Sequence, residues 1–508
     1  MLHGVVGVFL DSVSEREFDP VVLAMLATRG FVDVHFIHGS YEFGKDVIAK
    51  RPDPNGVLQQ YAIQAKAGDI GQPEWRAVRP QLDEAGYNTR SHPNFDKTLP
   101  RVAVLLTTGR LKGAAAVDAQ EYAESAVARG LTRVEVWDKE MLTGWLVSDP
   151  AAAMLTLSDQ VELQRILADA RSGSLDEPQL EQYSRRWGSP GLAGAAAVEC
   201  AVIVHVLREG ARLDLAAAVA LHFFRGLRTS TDGQAFERQK EAARALFLSL
   251  CSLLRDAIRP LLNDPADLVR IVAGPTAPVS YAVIAVRATE LLALGALVTP
   301  DAAEQAGFED IVFDLATRHP GASRPVSDQF AVSPIPITCV LHRRDPQAAA
   351  AYLRSIGRWL LDRSDPALNG LGLGTMDEAP LSVTSRLLAG ALEATTLEPS
   401  RMSYVLTVLL DLCLAVGRRD LFAALYEDSR TLHLVPSTTT VPADAESFRR
   451  AGGPVRPVPR LEYAPDGSTT PTRRKSSGCS SRDTLLLVAA CRSRHYTDDI
   501  IESLRHPV

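Results

Sequence analysis

The chain has 508 residues, 46% of them hydrophobic and 23% charged, with 54 Lys and Arg against 61 Asp and Glu for a net charge of −7. At roughly 100–200 residues per domain, that length predicts several domains and excludes a single small module, and an ordinary apolar content supplies cores without metal or disulfide staples. The negative balance excludes a protein that coats nucleic acid through bulk positive charge, though not one with a local basic groove.

The first 150 residues mix helix and strand patterns. Phe18, Val21, Val22, Met25 and Leu26 recur at helical spacing over residues 17–29, and Gly30 follows as a C-cap. Strand-type segments run from Phe31 to Ile37, Asp46 to Ala49, Tyr61 to Ala67, Arg101 to Thr107 and Arg133 to Trp137. An Ala-rich helix over 114–129 stops at Gly130, and a shorter one covers Lys139 to Val147. This order predicts a mixed sheet flanked by helices. Residues 151–435 read as a large, mostly α-helical region, with helical windows at 191–228, 235–262, 280–296, 346–362 and 383–424. No fixed repeat stands out in it. Residues 436–482 are rich in Pro, Ser, Thr and Arg, including Arg473-Arg474-Lys475, and read as a disordered linker. Residues 483–508 return to a helical pattern and are expected to dock on the helical region.

The start, Met1-Leu2-His3-Gly4, carries no secretory signal pattern. The longest apolar stretch, Gly191 to Leu207, is interrupted by Glu199 and His205, and Ser403 to Val416 contains Asp411, so no membrane span is expected. The cysteines Cys200, Cys251, Cys339, Cys413, Cys479 and Cys491 form no CxxC pair. That pattern argues against a zinc site and for buried thiols in a reducing compartment, with a cytoplasmic address. There is no GxxxxGK[ST] loop, no GxSxG and no HExxH.

The informative stretch is Glu42-Phe43-Gly44-Lys45-Asp46, followed after 17 residues by Gln64-Ala65-Lys66. On a strand, Gln64 and Lys66 project to one face while Tyr61, Ile63 and Ala65 project to the other. If Asp46 lies on a neighbouring strand, an acid, an amide and an amine converge. Hard oxygen ligands from Asp46, Gln64 and the Ala65 carbonyl suit Mg2+ or Mn2+. The Lys66 ammonium suits charge building on a phosphate. Each residue also has a plain alternative: Asp46 as a turn cap, Lys66 as a solvated strand residue, Glu17 as a helix-dipole partner.

With its flanking order, this D…QxK pattern resembles the PD-(D/E)XK restriction-endonuclease-like superfamily, and within it the Mrr-like branch, over residues 1–150. The resemblance implies an α/β nuclease domain that hydrolyses phosphodiester bonds of double-stranded DNA with a divalent metal. It also implies restriction of foreign or modified DNA, or antiphage defence. Because Gln64 is neutral, a further acid is needed, with Glu17 first and Glu42 and Asp19 as reserves. Lys66, Asp46, Gln64 and Glu17 are thus the expected catalytic residues, and Asp46, Gln64, Ala65 and Glu17 the expected metal ligands. A homodimer and a protein partner bound by residues 151–435 are further expectations. The opposing reading is an inactive nuclease-fold module that binds DNA or protein. His35 with His38, His205, His222, Asp69, Arg110 and Lys112 are expected in ordinary structural or solvated roles, with phosphate contact as the lesser reading for Arg110 and Lys112.

Overall fold

The computed structural model describes residues 2–37, 44–88, 92–156, 160–189, 192–227, 233–263, 277–376, 378, 382–384, 400–439, 457–459, 463 and 481–491. The chain divides into two compact units. One comprises residues 2–164 with 191–202, and the other 165–190 with 203–508.

The first unit opens with α1 (His3–Ser12) and α2 (Glu15–Thr28). A five-stranded sheet follows, in spatial order β1 (Val32–Phe36), β2 (Val47–Pro52), β3 (Leu58–Lys66), β4 (Arg101–Thr107) and β5 (Arg133–Trp137). The first three strands are antiparallel, and β3, β4 and β5 run parallel. Parallel neighbours need crossovers, which α3 (Gln72–Tyr87) and α4 (Ala114–Ala128) supply, and α5 (Lys139–Ser148) follows β5. Helix α1 escapes the sequence reading because the β-branched Val5, Val6 and Val8 and the intervening Gly7 are poor helix formers. Helix α2 begins two residues ahead of the expected start, where Ser14 and Glu17 form a capping box.

Side-chain alternation along the strands separates two buried layers. Ala62, Ala103, Leu105 and Val134 meet Trp75, Val78 and Leu82 of α3 and Ala115 and Ala119 of α4. On the other face Phe31, Tyr61, Trp137 and Trp145 form a chain of edge contacts, with ring centroids 4.9 Å (Phe31–Tyr61), 5.8 Å (Phe31–Trp137) and 5.1 Å (Trp137–Trp145) apart. Strand β1 lies at the edge of the sheet. Its register with β2 shifts between Val32 and His35, and Asp33 there takes a left-handed φ of 48° and pairs with Lys50 at 2.8 Å.

The described part of the second unit is mainly helical. It holds most of α6 (Val161–Ser172), α7 (Glu177–Ser184), the later part of α8 (Ala193–Glu209), α9 (Leu213–Leu227), α10 (Gly233–Ile258), α11 (Ala277–Val298), α12 (Ala302–Arg318), α13 (Pro334–Arg344) and α14 (Pro346–Ser364). It continues through β6 (Met402–Ser403), α15 (Tyr404–Ala415), α16 (Arg419–Thr431), β7 (Val435–Thr439), β8 (Pro457–Pro459) and α17 (Ser481–Cys491). The helical window 191–228 is two helices, broken where Ala211 takes a φ of 57°. Within the segment 436–482 read as a linker, the described parts are structured. Strand β7 pairs with β8, and the buried Tyr463 hydroxyl donates to Asp411 Oδ1 at 2.8 Å. Backbone pairing and a phenol aimed at a carboxylate hold these short pieces despite their polar composition. Residues 440–456, 464–480 and 492–508 lie outside the described residues. Among the described residues no helix is long and apolar enough to cross a membrane.

Candidate functional site

The site lies where β3 ends against the start of β2. Asp46 immediately precedes β2; its N–H donates to the Ile63 carbonyl at 2.9 Å, and its own carbonyl accepts from Ile37 N–H at 2.8 Å. Its backbone is therefore held on both sides. The side chain folds over β3, where Asp46 Oδ2 accepts from Gln64 Nε2 at 2.5 Å and from Ala65 N–H at 2.7 Å. Two charge-assisted bonds to one oxygen fix the carboxylate plane. Gln64 is buried.

Lys66, the last residue of β3, reaches a different partner. Its Nζ stands 3.4 Å from Oε1 of Glu15, in the first turn of α2. The expected acid, Glu17, is otherwise engaged. Its Oε2 accepts from Ser14 N–H at 3.0 Å and from Ser14 Oγ at 2.6 Å, and these bonds hold its carboxyl below the ordinary range. The helix needs Glu17 there because the N–H groups of its first turn have no helical partner. The structure thus brings Asp46, Gln64 and Ala65 together, places Lys66 beside Glu15, and gives Glu17 a capping role. Asp19 is half-buried in α2. Glu42 and His38 lie outside the described residues.

The ends of β3 and β4 are locked together just beyond Lys66. Gly68 N–H donates to Thr108 Oγ1 at 2.9 Å, and Thr107 Oγ1 donates to the Gly68 carbonyl at 2.6 Å. Gly109 packs so closely that a Cβ there would overlap the backbone of Gly68 and Asp69. Asp69 in turn accepts from Arg110 N–H at 2.9 Å and pairs with Lys112, and these contacts hold its carboxyl low.

Lys45 carries no signal in the sequence, yet it is fully buried. Gly44 before it has a φ of 72°, and a Cβ there would overlap the Gln81 carbonyl of α3, so the turn is pressed onto that helix. Lys45 Nζ lies 5.7 Å from the Phe95 ring centroid. Burial pushes its ammonium down to about 8, with the nearby Glu84 carboxylate acting in the opposite sense. Alternating burial could not have marked it, because the residue stands outside a strand.

The other described histidines singled out in the sequence sit beside protein partners. His35 stacks on His92 at 4.5 Å, with its Nε2 2.7 Å from Asn94 Nδ2. His205 lies 3.4 Å from Glu209, and the fully buried His222 lies 3.9 Å from Glu177. Among the described residues no three His, Cys, Asp or Glu side chains cluster as metal ligands.

Residues 10–146 match a family described as a restriction endonuclease, Mrr_cat. No curated protein and no solved structure matches the chain. The match spans α2, all five strands and most of α5, so the first unit has a restriction-endonuclease-like fold and the second is a largely helical addition.

Proposed function

We propose that this chain, which carries a restriction-endonuclease family domain over residues 10–146, is a metal-dependent DNA endonuclease. Double-stranded DNA, foreign or modified, is the substrate class, and restriction or antiphage defence is the setting. The single observation behind this reading is the Asp46 carboxylate bonded to Gln64 and Ala65, with Lys66 next along the same strand end.

The available donors are all oxygens: the Asp46 carboxylate, the Gln64 amide oxygen and the Ala65 carbonyl. They suit a hard divalent cation, Mg2+ or Mn2+. Such an ion polarises a phosphoryl oxygen and lowers the pKa of a bound water. The residues do the positioning. Gln64 and Ala65 N–H orient the Asp46 carboxylate before substrate arrives. Lys66 places a full positive charge where a phosphate gains negative charge, and it can orient the attacking water. Gln64 adds no charge, so the second acid is drawn from α2. Glu15 fits that role better than Glu17 because it faces Lys66 and has no capping duty in the capping box. We assign the helical region to control of the domain, through a protein partner or through a homodimer that presents two sites to two strands.

The opposing reading, a module that binds DNA or protein without cutting, draws on the absence of a three-acid cluster among the described residues. Plasmid nicking separates the two. Supercoiled DNA should be cut by the full chain with Mg2+ and not with EDTA, and Asp46→Ala and Lys66→Ala should each lower the rate at least a hundredfold. Metal-independent, salt-sensitive binding with no cleavage would establish the binding module.

A further inference from the structure

Helix α17 is gripped at both ends by cations of the helical unit. In its first turn Asp483 pairs with Arg244 at 2.8 Å and with Lys240 at 3.6 Å. At its far end the Ala489 carbonyl accepts from Arg287 Nη2 at 3.2 Å, and the Ala490 carbonyl from Arg225 Nη1 at 3.4 Å. Acid at the start and cations at the end both complement the helix dipole. Between the clamps Leu485, Leu486, Leu487, Val488, Ala489 and Ala490 are all buried. Six consecutive buried residues mean that every face of the helix is covered. The groove is formed by α9, α10 and α11.

Each of the four cations also has a partner that does not belong to α17. Lys240 pairs with Glu237 at 2.7 Å, and Arg244 with Glu241. Arg225 donates to Ser184 Oγ at 3.0 Å. Arg287 pairs with Glu177 at 2.6 Å and with Glu290 at 2.8 Å. Removing one member of a buried pair is ordinarily severe because a charge is left uncompensated. Here the withdrawal of α17 leaves every cation with a polar partner. An 11-residue helix is also too short to persist alone in water, so undocking and unwinding go together.

We propose that α17 is a releasable latch. It docks reversibly in the α9–α10–α11 groove, and the groove recognises an apolar helix with an acid in its first turn. This inference stands apart from the nuclease reading. Hydrogen exchange on the full chain tests it. Amides of α17 should exchange at least tenfold faster than those of α9, α10 and α11, and Asp483→Lys should speed α17 a further tenfold without changing the other three. Exchange of α17 in step with α9 and α10, or a common acceleration of all four helices in Asp483→Lys, would make α17 an integral core helix and overturn the latch. A second measurement covers recognition. In full-length Leu486→Asp a charge at a fully buried position of α17 is expected to expel the helix, shown by loss of exchange protection in α17 alone, and a fluorescent peptide of residues 481–491 should then bind the emptied groove saturably. The same peptide carrying Asp483→Lys should bind at least tenfold more weakly. Absence of binding by the unmodified peptide to a folded Leu486→Asp chain, or equal binding of both peptides, would overturn the recognition rule.

Discussion

Two acids near the start of α2 have separable duties. Glu17 closes the capping box with Ser14, so Glu17→Ala should lower stability by about 1 kcal/mol and leave most DNA cleavage in place. Glu15 makes an exposed pair with Lys66, and Glu15→Ala should change stability by less than about 0.5 kcal/mol while cutting cleavage at least tenfold. Thermal melts beside nicking rates read both effects, and an interchange of the two outcomes would return the metal role to Glu17. In the helical unit, buried Asp328 accepts at Oδ1 from Tyr404 N–H at 2.9 Å, Val405 N–H at 3.1 Å and Ser403 Oγ at 3.4 Å. Burial pushes its carboxyl up to about 6, against the pull of those three donors. The folded state therefore holds a proton that the unfolded chain gives up near pH 4. Stability contributed by this group falls as pH rises from about 4 to about 6, by about 3 kcal/mol in all. An Asn oxygen can accept the same three bonds without a charge, so Asp328→Asn should flatten that slope and be the more stable protein at pH 7. Denaturant melts from pH 4 to pH 7 measure it, and a variant as steep as the parent would show that another group titrates there.

At the scale of elements, the junction of β3 and β4 sets the position of Lys66. Gly109→Ala forces a methyl group into the Gly68 backbone, where no flexible side chain can yield. A loss of about 1–3 kcal/mol is expected, together with slower cleavage, since the displaced strand end carries Lys66. A stable variant with slowed cleavage would locate the effect in the site alone, and a stable variant with full activity would show that the junction relaxes. The interior strand β4 was legible as a continuous apolar run, because a parallel strand covered on both faces needs no polar side: Val102 to Leu106 are buried without a break, and β4 has the bounds read from the sequence. The pairing of the Asp46 segment with the QxK strand entered the sequence reading as a condition, and the β2–β3 register with Val47 opposite Ile63 meets it. Four things were not legible. Helix α1 was hidden by its valines. The true start of α2 depends on one serine hydroxyl and one glutamate. The approach of Glu15 to Lys66 joins residues 51 positions apart in the chain, and no local pattern records a contact made through tertiary packing. Lys45 is the sharpest case, because its burial follows from how Gly44 seats the turn on α3.

At the scale of the whole molecule, two units with separate cores should unfold separately. Calorimetry is expected to resolve two transitions, with Gly109→Ala lowering one and Asp328→Asn moving only the other. A single transition shifted by both variants would mean one cooperative block. The sheet of the first unit also has a way of limiting association with other copies. Its outer strand β1 carries the register shift and the left-handed Asp33, whose carboxylate is held by Lys50. A straight strand from another copy could not match that bent, charged border for more than a few residues. The unit can therefore present its β1 border without offering a template for fibres there.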